Sequence, residues 1–280
     1  MSTPPRTAKS PAPAKINLTL HVTGQRDDGY HLLDSLVAFA DISDEITVQA
    51  AQRTSLTVTG PMAEAVPTDS SNSVIKAAGY LGLDAAISLT KNLPSAAGIG
   101  GGTSDAAATI RALCSLYGHP LPAASDLVGL GADVPVCLTP TAQRMRGIGE
   151  QLDPVTGLPP VWAVLVNPGF PIPTGQIFHN LPHKNNAPMP QSLPGFRSVK
   201  EFCAWLWQQR NDLEQAAILV EHRVENVLKA ISETSPLLTR MSGSGATCFG
   251  LYDSFSRATL AQRMIERSHP TWWVRDVQLT

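Results

Sequence analysis

Pro94-Ser95-Ala96-Ala97-Gly98-Ile99-Gly100-Gly101-Gly102-Thr103-Ser104-Asp105-Ala106-Ala107 is the stretch that decides how this chain reads. Four glycines in the five positions Gly98 to Gly102 let the backbone turn sharply and approach a ligand with no Cβ in the way. Thr103, Ser104 and Asp105 follow, all helix-capping types, and an alanine-rich helix then carries Ile110, Leu113 and Leu116 on one stripe. A glycine loop feeding a helix N-terminus offers N–H groups and the positive end of the helix dipole to an anion, most often phosphate. No lysine follows in P-loop spacing, and no acidic residue stands about twenty positions on to hold a ribose, so neither common nucleotide fingerprint applies. The alternative is a flexible linker or a tight packing turn. Glycines joined directly to a capped, strongly helical segment argue against it.

Around that loop, composition narrows the classes. A chain of 280 residues with 43% hydrophobic content can bury one large core or two ordinary ones. The formal net charge is −2 with no basic cluster, which argues against electrostatic capture of nucleic acid. Cys114, Cys137, Cys203 and Cys248 are far apart with no C-x-x-C pair, and the histidines show no H-E-x-x-H spacing. That pattern predicts no structural metal and no disulfide framework, and it fits a reducing cytoplasm. The apolar stretches are too short to span a membrane, and the first residues lack the apolar core of a secretory signal. Residues 1–12 read as a disordered tail.

Ile16, Leu18, Leu20 and Val22 alternate with Lys15, Asn17, Thr19 and His21, the pattern of a strand with one apolar and one polar face. Further strands are predicted at Leu36–Ala40, Glu45–Val48, Leu56–Thr59 and Ile87–Thr90. Ser70-Ser71-Asn72-Ser73 offers a cap for a helix through Val74, Ile75, Ala78 and Leu81, and Pro122 to Leu130 predicts a short helix. Pro154 to Pro160 marks a domain boundary. It separates an N-terminal lobe, 13–155, from a C-terminal lobe, 156–280. Beyond it come a strand at Val161–Val166, a loop or surface insertion from Pro182 to Pro194, and helices at Val199–Trp207, Ala217–Ser232 and Phe255–Ser268. Two strands flank Gly243, and Trp272–Leu279 closes the chain with another. Strands and helices mix without strict alternation, so the fold class is α+β in two lobes.

Four further constellations carry chemistry. Lys15 and Asn17 stand two apart on one strand face, turned either to solvent at a sheet edge or to a ligand. Asp28-Gly29-Tyr30-His31 delivers an aromatic ring and an imidazole after a turn. These are loop anchors, or a face that stacks on a planar base with an edge partner beside it. Asp133, in Gly131-Ala132-Asp133-Val134-Pro135, sits among small and apolar residues before a predicted Val-Pro-Val strand. It either caps adjacent backbone or is a constrained carboxylate that needs a cation. Met241-Ser242-Gly243-Ser244-Gly245-Ala246-Thr247 is a second glycine turn, either a plain hairpin or part of a phosphate site.

Taken together, Pro94 to Ala107 resembles the P-x-x-x-G-[LI]-G-G-G-[ST]-S-[DN]-A-A signature of the galactokinase, homoserine kinase, mevalonate kinase and phosphomevalonate kinase (GHMP) superfamily. Pro13-Ala14-Lys15-Ile16-Asn17-Leu18, Asp28-Gly29-Tyr30-His31, Gly131-Ala132-Asp133-Val134-Pro135, Asn211-Asp212-Leu213-Glu214 and Gly243-Ser244-Gly245-Ala246-Thr247 follow the order of one of its branches. Ala96 and Ala97 stand where glycine is common in that family, and Pro140 also stands where glycine is expected.

The resemblance implies an N-terminal lobe like ribosomal protein S5 domain 2 and a ferredoxin-like C-terminal lobe completing the substrate site. It implies a cytoplasmic, ATP-dependent small-molecule kinase of the non-mevalonate isoprenoid route, a monomer or weak homodimer. The acceptor would be the tertiary 2-hydroxyl of a methylerythritol unit carried on cytidine diphosphate. ATP would lie on Pro94, Ser95, Ala96, Ala97, Gly98, Ile99, Gly100, Gly101, Gly102, Thr103 and Ser104, with Asn72 and Lys91 near its adenosine. Magnesium would accompany ATP, with Thr103 or Ser104 as a hydroxyl ligand. Asp133 would take the hydroxyl proton, and Lys15 would hold that carboxylate ionised and stabilise the transferring charge. Asn17, Tyr30, His31 and Phe178 would bind the substrate, cytosine lying between Tyr30 and Phe178 with His31 at its edge. Another superfamily kinase acting on homoserine or mevalonate would share the glycine loop without Asp-Gly-Tyr-His. A non-catalytic nucleotide-binding module would lack the Lys/Asp pair.

Overall fold

The polar face of the first strand is buried. In the computed structural model, which describes residues 6–64 and 66–280, Lys15, Asn17, Thr19 and His21 are as enclosed as the apolar residues between them, with Lys15 at 2% and Asn17 at 1% exposure. The solvated-edge alternative for Lys15 is therefore excluded. The strand is also broken: β1 spans Thr7–Asn17 and β2 spans His21–Gln25. At the break, Leu20 bridges Asn211, with its N–H donating to the Arg210 carbonyl at 2.9 Å. The tail expected over residues 1–12 is corrected in its second half, since β1 begins at Thr7 and Ala12 is fully buried. Arg111 holds it there through the Ser10 hydroxyl and the Pro11 carbonyl. Residues 1–5 lie outside the described residues.

Two compact units interleave along the chain. The first comprises residues up to Ala14, Ile42–Ser95 and Gly100–Pro140. Here β3, a single strand from His31 to Ala50, contributes its second half; Leu36–Ala40 and Glu45–Val48 are parts of it, not separate strands. Its Glu45–Ala50 segment pairs antiparallel with β5 (Ala85–Thr90), which pairs in parallel with β4 (Ser55–Thr59). Against these lie α1 (Ser73–Leu81) and α2 (Gly101–Tyr117), burying Ile46, Val48, Val74, Ile87, Leu89, Ala108, Ala112 and Leu113 in one cluster. The alanines of α2 allow close approach, which suits a helix pressed into a core. A 3₁₀ segment, Ala124–Leu130, leads to α3, Val134–Leu138. The Val-Pro-Val strand expected there is thus a short helix: Pro135 in its first turn has no N–H to waste and a preset φ.

The second unit comprises Lys15–Asp41, Ala96–Ile99 and Thr141–Thr280. β6 (Gln143–Gly147) pairs with the first half of β3 and with β7 (Gln151–Pro154). β8 (Val161–Asn167), β9 (Leu238–Met241), β10 (Cys248–Tyr252) and β11 (Trp273–Leu279) form an antiparallel run in the order β11-β8-β10-β9. With helices between β8 and β9 and between β10 and β11, that is the ferredoxin-like order. The helices are α4 (Thr174–His179), α5 (Val199–Trp207), α6 (Asp212–Val220), α7 (Arg223–Ser232) and α8 (Phe255–Ser268). The helix expected over Ala217–Ser232 is two, separated at Glu221 and His222.

The segment Pro182–Pro194, expected as a loop or surface insertion, is a loop bound tightly to strands. Arg144 chelates Asp34 at 2.7 and 2.8 Å and donates to the carbonyls of Met189, Pro190 and Gln191. Met189 is buried, its N–H donating to Asp34 and its Sδ accepting from Thr19. Among the described residues, no helix is long and apolar enough to cross a membrane. The four cysteines are free and buried.

Candidate active site

The first-turn N–H groups of α2 stay outside its ladder, as at any helix start, and Gly100 is its N-cap with φ of 69°. The helix starts two residues earlier than its capping types predict, because those side chains are used elsewhere. Thr103 Oγ1 donates to the Gly100 carbonyl at 2.9 Å, and buried Ser104 donates to the Pro13 carbonyl at 2.8 Å. Asp105 turns into the core, where its Oδ2 meets Lys91 Nζ at 2.7 Å.

Lys91 is equally buried and also reaches Asp44 at 2.5 Å. The other oxygen of Asp44 accepts the N–H groups of Asn92 and Leu93, at 2.6 and 2.8 Å, fixing the segment that enters the glycine loop. Burial opposes the charge of Lys91, but Asp105 and Asp44 outweigh it and hold the ammonium above its ordinary pKa. With one cation for two carboxylates, the Asp105 carboxyl is pushed up to about 7, chiefly by burial, with Lys91 pulling it down and Asp44 adding to the rise. A Cβ on Gly101 would lie 3.3 Å from Lys91 Nζ, so this triad lies directly behind the first turn. Asn72 caps α1, its Oδ1 accepting from Val74 at 2.8 Å and its amide donating to the Pro67 carbonyl. Of the two residues expected near adenosine, Asn72 thus bonds backbone and Lys91 bonds two carboxylates.

Asp133 stands half-buried at the N-cap of α3 with no side-chain capping bond to that helix. Two residues before it, a Cβ on Gly131 would meet Thr103 Cγ2 at 3.0 Å, so the segment carrying Asp133 lies against the first turn of α2. Arg111, donating to the Cys137 carbonyl at 2.6 Å, ties α3 to α2 and β1.

In the second unit, Lys15 Nζ donates to Asn17 Oδ1 at 2.7 Å, and Asn17 Nδ2 donates to Ser35 at 2.8 Å. The Asn17 N–H donates to Ser242 Oγ at 3.1 Å, and that hydroxyl donates to the Gly98 carbonyl at 3.0 Å. Thr247 N–H reaches the Ala97 carbonyl at 3.0 Å. The Gly243 turn is thus the support of the Ala96–Ile99 part of the glycine loop, a role beyond a plain hairpin. Gly98 admits no side chain: a Cβ would lie 2.4 Å from the Ser242 carbonyl. Ala96 carries a φ of 51°, a left-handed conformation that favours glycine.

His31 stacks on Phe178, ring centroids 4.6 Å apart, and its buried Nε2 has no protein partner. Burial, with some help from Lys184, lowers its pKa and favours the neutral ring. Tyr30 stands 54% exposed on the preceding turn. One face of the Phe178 ring is therefore covered by His31. Asp44 and Arg111 belong to these networks and carried no sequence signal, because each acts through bonds to residues distant in the chain.

Comparison with known proteins places the chain in a family. The model for the GHMP kinases N terminal domain matches residues 71–141, and that for the GHMP kinases C terminal matches residues 192–270. The chain is 53% identical to the 4-diphosphocytidyl-2-C-methyl-D-erythritol kinase of Dinoroseobacter shibae over 96% of its length and 93% of that protein's. It is also 53% identical to the enzyme of the same name from Ruegeria pomeroyi, over 94% and 95% of the two chains. The chain belongs to the 4-diphosphocytidyl-2-C-methyl-D-erythritol kinase branch of the GHMP kinases. A crystal structure of 4-(cytidine 5'-diphospho)-2C-methyl-D-erythritol kinase superposes with a TM-score of 0.77 at 31% identity, covering 97% of this chain and 98% of that one. The fold expectation, two GHMP kinase domains of mixed α and β structure, is met.

Proposed function

We propose that this protein transfers the γ-phosphoryl group of ATP to the 2-hydroxyl of 4-diphosphocytidyl-2-C-methyl-D-erythritol. The observation that carries this reading is likeness over nearly the whole chain to kinases of that name. The division into an ATP-binding lobe before residue 155 and a lobe completing the substrate site is part of the reading. It is supported by family matches on either side of the Pro154–Pro160 linker.

Phosphoryl transfer needs positioning and electrostatics more than covalent chemistry, because its transition state is loose. In this reading the phosphates bind at Pro94–Ser104, where backbone N–H groups and the dipole of α2 supply fixed positive ends. Asp133 takes the hydroxyl proton as the acceptor oxygen bonds to phosphorus, and Lys15 is the cation of the transfer. Magnesium brought by ATP would supply charge neutralisation on the phosphates; the hydroxyl of half-buried Thr103 would hold it, while Ser104 is fully buried. Among the described residues no group of three His, Cys, Asp or Glu could hold a metal by itself. Asn17, Tyr30, His31 and Phe178 bind the substrate, the unpartnered His31 Nε2 serving the cytosine edge. We place the reaction in the cytoplasm, where ATP is supplied.

ADP release measured with this substrate, homoserine, mevalonate and galactose tests the reading. Turnover with the cytidine substrate alone is the expected result. Preferred turnover of any other acceptor overturns the assignment.

A further inference from the structure

Asn211 begins the Asn211-Asp212-Leu213-Glu214 motif, which the mechanism above does not use. Its Oδ1 caps α6 by accepting from Leu213 at 3.0 Å. Serine, threonine or aspartate would do that equally well. Only a carboxamide also supplies two donors, and here Nδ2 donates to the Met241 carbonyl at 2.8 Å and the Gly243 carbonyl at 2.9 Å. Those carbonyls flank Ser242 on both sides. Glu214, one turn along the same helix, accepts the Met241 N–H at 2.8 Å, so α6 grips the end of β9 twice.

Ser242 is the residue whose hydroxyl joins the Asn17 N–H to the Gly98 carbonyl. Asn17 in turn accepts from Lys15. From the buried Asn211 carboxamide, hydrogen bonds to the backbone on either side of Ser242, and those of the Ser242 hydroxyl beyond it, therefore lead to the glycine loop at Gly98 and to the ammonium of Lys15. All of these residues belong to the second unit. We infer that Asn211 is a positioning residue for the phosphoryl transfer, acting through the Ser242–Gly243 turn on Gly98 and on the Lys15–Asn17 pair. This rests on the kinase reading above.

The test compares two variants with the wild-type enzyme, using the cytidine substrate and ATP. Asn211→Ser keeps the helix cap and deletes both bonds to the turn. It is expected to melt within a few degrees of wild type while kcat falls about tenfold to a hundredfold, the scale of a small misplacement of reacting groups. Asn211→Asp also keeps the cap but turns a carboxylate toward two carbonyls, and protonation restores one donor. Its kcat relative to wild type should rise as the pH is lowered. A kcat for Asn211→Ser within twofold of wild type, or a flat ratio for Asn211→Asp, would overturn the positioning role. Failure of both variants to fold would assign Asn211 to stability alone and overturn it as well. Absence of transfer by the wild-type enzyme would instead sink the kinase reading, and the positioning role with it.

Discussion

One carboxylate bears the proton transfer in the proposed reaction. Asp133→Asn keeps the shape of that side chain and removes its basicity, so kcat should fall about 10²- to 10⁴-fold with ATP affinity nearly unchanged. Nucleotide titration beside steady-state rates checks both halves, and near-normal kcat would remove Asp133 from the chemistry. Two loop residues should respond in opposite senses to exchange of glycine and alanine. At Gly98 a methyl group would meet backbone at 2.4 Å, and no flexible side chain can yield. Gly98→Ala should lower the melting temperature by about 5 °C or more, together with activity. Ala96, exposed and left-handed at φ 51°, is strained, so Ala96→Gly should stabilise by about 0.5–1 kcal/mol in denaturant unfolding. At this scale the sequence did not show the bonds that Lys91 and Asn72 make, to two aspartates and to the start of α1, because those partners are not written in the residues themselves.

The elements most legible in the chain are those with long periodic patterns, such as α2, α5 and α8. Those that departed from expectation are short, or held by contacts distant in sequence. Val134–Leu138 is apolar enough for a strand and too short for periodicity to discriminate, so the early proline decides for helix. The Pro182–Pro194 segment reads as loop from composition, yet Arg144 and Asp34 bind it to β3 and β6. Arg144→Ala would leave the Asp34 carboxylate buried without its guanidinium, which costs about 3–5 kcal/mol. The expected result is that loss in global stability, with faster proteolytic cleavage between residues 182 and 191. A change below about 1 kcal/mol would mean that Asp34 finds another partner.

Across the whole molecule, buried carboxyls tie stability to pH. In the fold Asp105 titrates at about 7 against an ordinary value of 3.8, so between those pH values the folded state binds more protons than the unfolded one. Its contribution to stability therefore declines as pH rises through that window and is constant above it. Asp105→Asn removes the titration while leaving a group that can donate to Asp44 and accept from Lys91. The variant should gain on wild type in melting temperature from pH 4.5 to 7.5 and level off beyond. The opposite slope would show that Asp105 stays ionised in the fold.

Read alone, the chain determined the α+β class, the glycine loop leading into α2 and the family, because local glycine chemistry, capping and periodicity are written in consecutive positions. Tertiary structure decided what lies at long sequence separation. It interleaved the two units, buried the polar face of β1, placed a three-residue charge cluster behind the loop and made Asn211 the support of a distant turn. Such pairings follow from burial and hydrogen-bond satisfaction in three dimensions, and no spacing along one chain encodes them.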